Sequence, residues 1–271
     1  MQHGTTRSAD GTRLSTTIWL PQGESVGEVV LVHGVGEHLG RYEHVAQALV
    51  AAGYTVRGVD FRGHGRSEGK RGHVKRWEDY VDDLRAAIAL RPGPHAIVAH
   101  SMGTMVTLDH LRDAQTWGYV GSATTVGIGV EAPAWKLGAA RVLSRLMPSL
   151  SMHNEIPLAH ICSDEAVQAN YTADPLVFST ITPRWFIEAT KAQARIRAAA
   201  GSYSMPAYIP YGEDDQIIAI DELITFASRY GGEMTLVPYA GMRHEVFNEP
   251  DQATVLAGVT QWLDTHNPAN A

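Results

Sequence analysis

The stretch Ala99-His100-Ser101-Met102-Gly103 decides the fold of this chain, because it joins an apolar run to a helical pattern through a single serine. Ile97 and Val98 precede it as the end of a strand, and residues 104–108 continue it as a helix. Small residues two positions before and two after the serine let the strand and the helix approach closely. On five residues alone, a surface serine in an ordinary connection would be preferred. The flanking patterns instead predict a nucleophile elbow, with Ser101 at the carboxyl edge of a sheet.

Strands and helices alternate on both sides of this elbow. Continuous apolar runs such as residues 29–32 predict strands that are buried on both faces, as in a parallel sheet covered by helices. The predicted strands cover residues 14–20, 29–32, 54–59, 95–99, 122–130, 205–211 and 234–239. The predicted helices cover residues 42–52, 77–90, 221–230 and 250–265. We therefore expect an α/β fold with a mainly parallel central sheet, flanked by helices, and with its chemistry at the carboxyl ends of the strands.

The alternation breaks between Pro133 and Ser204, where apolar side chains stand at helical intervals and no buried strand is evident. We interpret residues 133–204 as a helical cap, or lid, inserted into a core domain formed by residues 1–132 and 205–271. The apolar face of the cap either packs on the core as an ordinary amphipathic helix or lines a substrate entrance. The place of the insertion modestly favours the second interpretation, in which Leu143 and Leu146 contact the substrate.

Composition narrows the class of protein. The chain has 271 residues, of which 44% are hydrophobic and 19% charged, as is typical of one large soluble domain. A net charge of -7 argues against nucleic-acid binding, which needs a basic surface. The single cysteine, Cys162, cannot form an internal disulfide and is expected to be buried. Residues 1–13 lack the features of a signal peptide, so we expect a cytoplasmic protein. The sequence makes no prediction of the oligomeric state.

A serine hydroxyl needs a general base, usually a histidine that is oriented by a carboxylate. In folds with this elbow the acid and then the histidine follow the serine along the chain. Two loops in that order come directly after predicted strands: Gly212-Glu213-Asp214-Asp215 and Gly241-Met242-Arg243-His244. The histidine that precedes the serine, His100, is expected to be structural. No group of histidines shows metal-ligand spacing, so neither a metal nor a cofactor is assigned.

These segments resemble the α/β-hydrolase superfamily, and within it the monoacylglycerol lipases and lysophospholipases. The resemblance is carried by His33-Gly34-Val35-Gly36-Glu37-His38 with Arg41-Tyr42, by residues 60–69, by the elbow and by residues 244–250. It implies a catalytic triad and an oxyanion hole. The triad would consist of Ser101, Asp215 and His244, and the oxyanion hole would consist of the backbone N–H groups of Val35 and Met102.

The resemblance also implies that Glu37 and Arg41 face the polar head of the substrate. A salt bridge between these two residues that braces their loop is an equal alternative. Two positions depart from the family, because Ala99 and Thr104 stand where glycine is common. Either residue could slow acylation or reshape the pocket.

The implied function is a serine hydrolase that cleaves monoacylglycerol or lysophospholipid esters through an acyl-enzyme. A small-ester esterase, a thioesterase and a catalytically silent binding protein of the same fold remain alternatives. The expected partner is a lipid-like ester, with transient contact between the cap and a membrane surface, and no nucleic acid is expected.

Overall fold

The computed structural model describes residues 1–127, 129, 134–154 and 156–270, with the side chains of residues 134–137 left out of the description. The first half of the chain alternates strands with helices. Its elements are β1 (Gln2–Arg7), β2 (Arg13–Trp19), β3 (Gly27–Val32), α1 (Glu43–Ala51), β4 (Tyr54–Val59), α2 (Glu78–Ala89), β5 (Ala96–His100), α3 (Met102–His110) and β6 (Gly118–Ser122).

The second half begins with helices and returns to the alternation at its end. Its elements are α4 (Ala134–Leu146), β7 (Met152–His153), α5 (Leu158–Ile161), α6 (Glu165–Ala173), β8 (Thr180–Ile181), α7 (Pro183–Ala198), β9 (Ala207–Gly212), α8 (Ile220–Ser228), β10 (Met234–Tyr239) and α9 (Gln252–His266). Eight strands form one sheet in the order β1-β2-β4-β3-β5-β6-β9-β10. Only the β1–β2 and β2–β4 pairs are antiparallel, so the mainly parallel sheet is confirmed.

Two apolar cores cover the two faces of the sheet. The larger core includes side chains of α2, α3, α7 and α8, and the smaller one includes side chains of α1 and α9. The continuous apolar runs that predicted β3 and β4 are buried on both faces, as parallel strands between helices require. This arrangement brings the carboxyl ends of β3, β5, β9 and β10 to one edge of the sheet.

The sequence placed one strand wrongly and missed another. Residues 122–130 were predicted as a strand, but β6 occupies Gly118–Ser122 and ends where the predicted strand begins. Ala123 has a φ of 48°, a left-handed conformation that takes the chain out of the sheet. Residues 128 and 130 of the predicted strand lie outside the described residues. β1 was missed because it is a mostly exposed edge strand with no apolar alternation.

The part of the chain between β6 and β9 is helical, with a two-residue pairing of β7 and β8. α4 packs on α7, and the buried side of α7 contributes Trp185, Ala189, Ala192 and Ile196 to the larger core. The predicted start of the cap at Pro133 lies outside the described residues. The division into cap and core therefore stays a prediction, and α7 belongs by its packing to the wall of the core.

Candidate active site

Ser101 lies between the end of β5 and the start of α3, in a backbone conformation of φ 49° and ψ -119°. Residues other than glycine rarely adopt a positive φ, so the surrounding structure must hold Ser101 in place. Its N–H donates to the main-chain oxygen of Ser122 at 3.0 Å. A Cβ atom at Gly103 would lie 2.6 Å from the main-chain oxygen of His33, which explains the need for glycine there. The structure thus has the tight strand-to-helix turn that the sequence predicted.

His244 and Asp215 lie beside this turn in the loops that follow β10 and β9. His244 Nε2 is 2.9 Å from Ser101 Oγ, and His244 Nδ1 is 2.8 Å from Asp215 Oδ2. The other oxygen of Asp215 accepts from the N–H groups of Ile217 and Ile218 at 2.7 and 3.2 Å, which fixes the orientation of the carboxylate. The three predicted triad residues are therefore brought together in one hydrogen-bonded series.

The electrostatics of this series favour an ionised acid and make the base a stronger proton acceptor. Burial opposes a charge on His244, but the Asp215 carboxylate outweighs it and raises the pKa of His244. Burial likewise opposes a charge on Asp215, but His244 and the two N–H donors hold the pKa of Asp215 below its usual value. Since an ionised Asp215 accepts the Nδ1 proton, Nε2 is left to accept the proton of the Ser101 hydroxyl.

The glycine-rich loop after β3 lies against the elbow. A Cβ atom at Gly34 would be 3.2 Å from Ser101 Cβ, and the Gly34 N–H donates to Glu37 Oε1 at 2.5 Å. Met102 is the first residue of α3, and the N–H of a first helical residue has no partner within its helix. Met102 thus follows Ser101 directly, and Val35 follows Gly34, the residue of the loop that lies against Ser101. An oxyanion hole formed by these N–H groups stays a prediction.

Glu37 and Arg41 form the bracing salt bridge that was the alternative to substrate contact. Glu37 is 2% exposed and accepts from Tyr42 Oη at 2.7 Å and from Arg41 Nη1 at 2.5 Å. Arg41 also donates through both terminal nitrogens to the Glu245 carboxylate, each at 2.7 Å. Burial opposes ionisation of Glu37, yet Arg41 lowers the pKa of Glu37 to about 2. Both carboxylate oxygens of Glu37 are engaged within the protein, and contact of Glu37 or Arg41 with a substrate head group stays a prediction.

The two cap residues named from the sequence differ in exposure. Leu143 is half-buried, whereas the Leu146 side chain is 75% exposed. Another part of the cap contacts the glycine-rich loop, because the Phe178 N–H donates to the Gly36 oxygen at 2.8 Å and His38 Nε2 lies 2.8 Å from Asp174 Oδ2. The substrate-binding role of the two leucines stays a prediction.

The sequence did not reveal two features of the site. The first is the hydroxyl of Thr104, which donates to the Ser101 oxygen, a bond that threonine often makes in the first turn of a helix. The second is a group of polar contacts between the cap and the loop that carries His244, centred on Glu249. Glu249 was visible in the sequence, but its cap partner Ser163 lies 86 residues away along the chain, and no local pattern indicates this pairing.

The remaining titratable groups near the site are structural. His100 is 3% exposed, and burial lowers its pKa to about 3, so it stays neutral. Within the described residues, no group of three or more His, Cys, Asp or Glu side chains is arranged to hold a metal. None of the helices in the described part of the chain has the length and apolar character to cross a membrane.

Known proteins resemble this chain in sequence and in fold. A family described as "Serine aminopeptidase, S33" matches residues 23–251. A monoacylglycerol lipase of Mycolicibacterium smegmatis is 33% identical, over 94% of each chain. The phospholipase YtpA of Bacillus subtilis is 23% identical, over 89% of this chain and 96% of its own. The crystal structure of the Paleococcus ferrophilus monoacylglycerol lipase superposes with a TM-score of 0.87 and 26% identity, covering 93% of this chain and 99% of that one.

Proposed function

This chain belongs to the α/β-hydrolase family described as serine aminopeptidase S33, and we propose that it cleaves the carboxylic ester of monoacylglycerols through an acyl-enzyme on Ser101. The observation that carries the proposal is the hydrogen-bonded series from Ser101 through His244 to Asp215. The similarity to a monoacylglycerol lipase over 94% of both chains supports this substrate class. Lysophospholipid esters are the second candidate class, supported by the similarity to a phospholipase.

The mechanism follows from the positions of these atoms. His244 Nε2 takes the Ser101 proton as the hydroxyl oxygen attacks the ester carbonyl, while Asp215 stabilises the imidazolium. The N–H groups of Val35 and Met102 bind the oxyanion, and each contributes about 3 kcal/mol by the usual effect of removing one such donor. His244 then protonates the departing alcohol. Water attacks the acyl-enzyme with the same proton transfers and releases the fatty acid.

The cap supplies the binding surface for one acyl chain in this proposal. Leu143 is half-buried on α4, which packs on α7 against the core. Each methylene removed from water contributes about 0.8 kcal/mol, so kcat/KM rises with chain length until the binding surface is filled. Diacyl and triacyl substrates are poor, because a site for one chain has no place for the others.

Exposed apolar side chains on the cap support transient contact with a membrane surface. These side chains are Val142, Leu146, Met147 and Leu150, which are 55%, 75%, 51% and 38% exposed. Apolar side chains at a membrane interface are removed from water, and this favours attachment. Flotation with neutral phosphatidylcholine vesicles tests the contact, which Leu146→Ser should weaken.

We also propose a cytoplasmic location, supported by the single cysteine.

A chain-length series tests the proposed substrate class. The kcat/KM values are measured on p-nitrophenyl esters from acetate to palmitate, on the matched acyl thioesters, and on monoacylglycerol, lysophospholipid and triacylglycerol. Leu143→Ser should lower kcat/KM for long esters much more than for acetate. Ile224→Ser is the matched control, because Ile224 is an exposed aliphatic residue on α8, outside the cap.

Three outcomes of this series point to other functions. A parent protein that prefers acetate, with Leu143→Ser acting equally at all chain lengths, indicates a small-ester esterase. A preference for acyl thioesters over the matched oxygen esters indicates a thioesterase. A folded parent that turns over none of these substrates is a binding protein.

A further inference from the structure

A short segment of the cap lies directly on the loop that carries His244. We call residues 161–163 the cap strap. The Glu245 N–H donates to the Ile161 oxygen at 2.8 Å, and Arg243 Nη1 donates to the Cys162 oxygen at 3.1 Å. Arg243 and Glu245 are the two neighbours of His244 in the chain. The cap strap therefore contacts this loop on both sides of the catalytic histidine, through the backbone of Glu245 and the side chain of Arg243.

Glu249 joins the cap strap to the loop through a single buried carboxylate. It is 1% exposed, and its oxygens accept from the Ser163 N–H at 3.0 and 3.1 Å and from the Ser163 hydroxyl. Glu249 Oε1 also accepts from the Arg243 N–H at 2.9 Å. Hydrogen bonds to an ionised acceptor are the stronger kind, and removing their acceptor leaves buried donors without a partner.

Two further hydrogen bonds run from the cap strap to Asn248 and from Asn248 to Glu245. The Cys162 thiol donates to the Asn248 oxygen at 3.2 Å, and Asn248 Nδ2 donates to Glu245 Oε2 at 2.8 Å. Burial raises the pKa of Cys162 to about 12, so the sulfur keeps its proton and acts as a donor. Glu245 also accepts from Arg41, which donates to Glu37 of the glycine-rich loop, so these hydrogen bonds connect the contact to that loop.

We propose that Glu249 is a positioning residue for His244, acting through the Arg243 N–H and the cap strap. His244 lies in an irregular loop between β10 and α9, where no sheet or helix hydrogen bonds fix its backbone. The 2.9 Å contact from Nε2 to Ser101 Oγ therefore depends on other support. A displacement of about 1 Å at a catalytic group can lower the rate by about 10²-fold. This inference rests on the proposed role of His244 as the general base.

The test compares Glu249→Gln, Ser163→Ala and their combination with the parent. Asp251→Asn is the matched control, because Asp251 is an exposed carboxylate at the start of α9 that makes no side-chain capping bond. Ser163→Ala keeps Glu249 and removes only one donor, so it gives a folded comparison if Glu249→Gln is unstable. The substrate is p-nitrophenyl acetate, whose acyl group is too short to need the cap, and p-nitrophenyl palmitate is measured beside it as the long ester. Fluorophosphonate titration counts the active sites in each preparation.

We expect Glu249→Gln to lower kcat per active site by about 10- to 10²-fold, with KM nearly unchanged. The acid limb of kcat/KM should also move to lower pH, because a displaced His244 loses part of the stabilisation by Asp215 that raises its pKa. Ser163→Ala should show a smaller loss of the same kind, and the double variant should lose less than the sum of the two effects. Asp251→Asn should match the parent.

Other results overturn the proposal. A lower melting temperature with unchanged kcat and acid limb shows that Glu249 serves only stability. A loss confined to long esters, with raised KM, shows that the cap strap shapes the acyl site and does not position His244. A failure of the proposed function can be told apart from a failure of this inference, because the parent protein itself would then show no labelling at Ser101. In that case Glu249 would have no positioning role either.

Discussion

The hydroxyl of Thr104 donates to the main-chain oxygen of Ser101 at 2.6 Å, and the N–H of Thr125 donates to the same hydroxyl at 3.0 Å. A residue that stands where the resemblance has glycine thus ties the elbow to the segment after β6. We predict that Thr104→Val, which keeps the shape but removes the hydroxyl, lowers the free energy of unfolding by about 1 kcal/mol. Urea unfolding measures this change, and Thr104→Ser is the control that keeps the hydroxyl. Equal stability of Thr104→Val and the parent would show that the bridge contributes nothing.

Asp215 and Asp214 are adjacent carboxylates in different surroundings. Asp215 is buried against His244, whereas Asp214 is exposed. Asp215→Asn should lower kcat by about 10⁴-fold, because an amide favours the wrong tautomer of the histidine. Asp214→Asn should leave kcat close to that of the parent. Similar mild effects of both substitutions, measured on one soluble ester, would remove Asp215 from the triad.

The pH dependence of kcat/KM follows from the raised pKa of His244. Only the neutral imidazole can take the Ser101 proton, so activity is lost as the pH falls through the pKa of His244. The interaction with Asp215 raises this pKa above its ordinary value of 6.5, and the acid limb should therefore lie above pH 6.5. Asp215→Asn should move the limb to lower pH. A parent limb below pH 6.5 would contradict the electrostatic account of the pair.

Ala99 is fully buried next to the elbow and pairs with Val32 in the sheet. Its methyl group belongs to the larger core, which indicates that the neighbouring strand and helix accommodate it. We predict that Ala99→Gly lowers stability by about 0.5–1 kcal/mol, because glycine adds backbone freedom to the unfolded chain and removes a packed methyl group. Thermal unfolding measures the change. A clear rise in melting temperature would show that the methyl group strains the elbow.

Most of the fold was predictable because its central strands are buried on both faces and most of its helices have one apolar side. The pattern for β4 matches the observed strand over residues 54–59, and the elbow identified β5 and α3. β1 was not predictable, because an exposed edge strand has no apolar pattern to reveal it. The error at β6 came from a run of small and apolar residues that continues past the turn at Ala123.

The candidate site was predictable where chemistry and chain order coincide. Ser101, Asp215 and His244 each follow a strand that ends at the same edge of the sheet, so their topological positions identified them. The supporting contacts were not predictable. Glu249 and Ser163 are separated by 86 residues, and only the folded structure shows that they are hydrogen-bonded.

The identity of the nucleophile is the central claim, and mass spectrometry after reaction with a fluorophosphonate tests it most directly. The parent should gain one adduct, located by peptide mapping at Ser101. Ser101→Ala should gain none and should turn over no ester, while its melting temperature stays close to that of the parent. An adduct at another residue, or ester turnover by Ser101→Ala near the parent rate, would contradict the account.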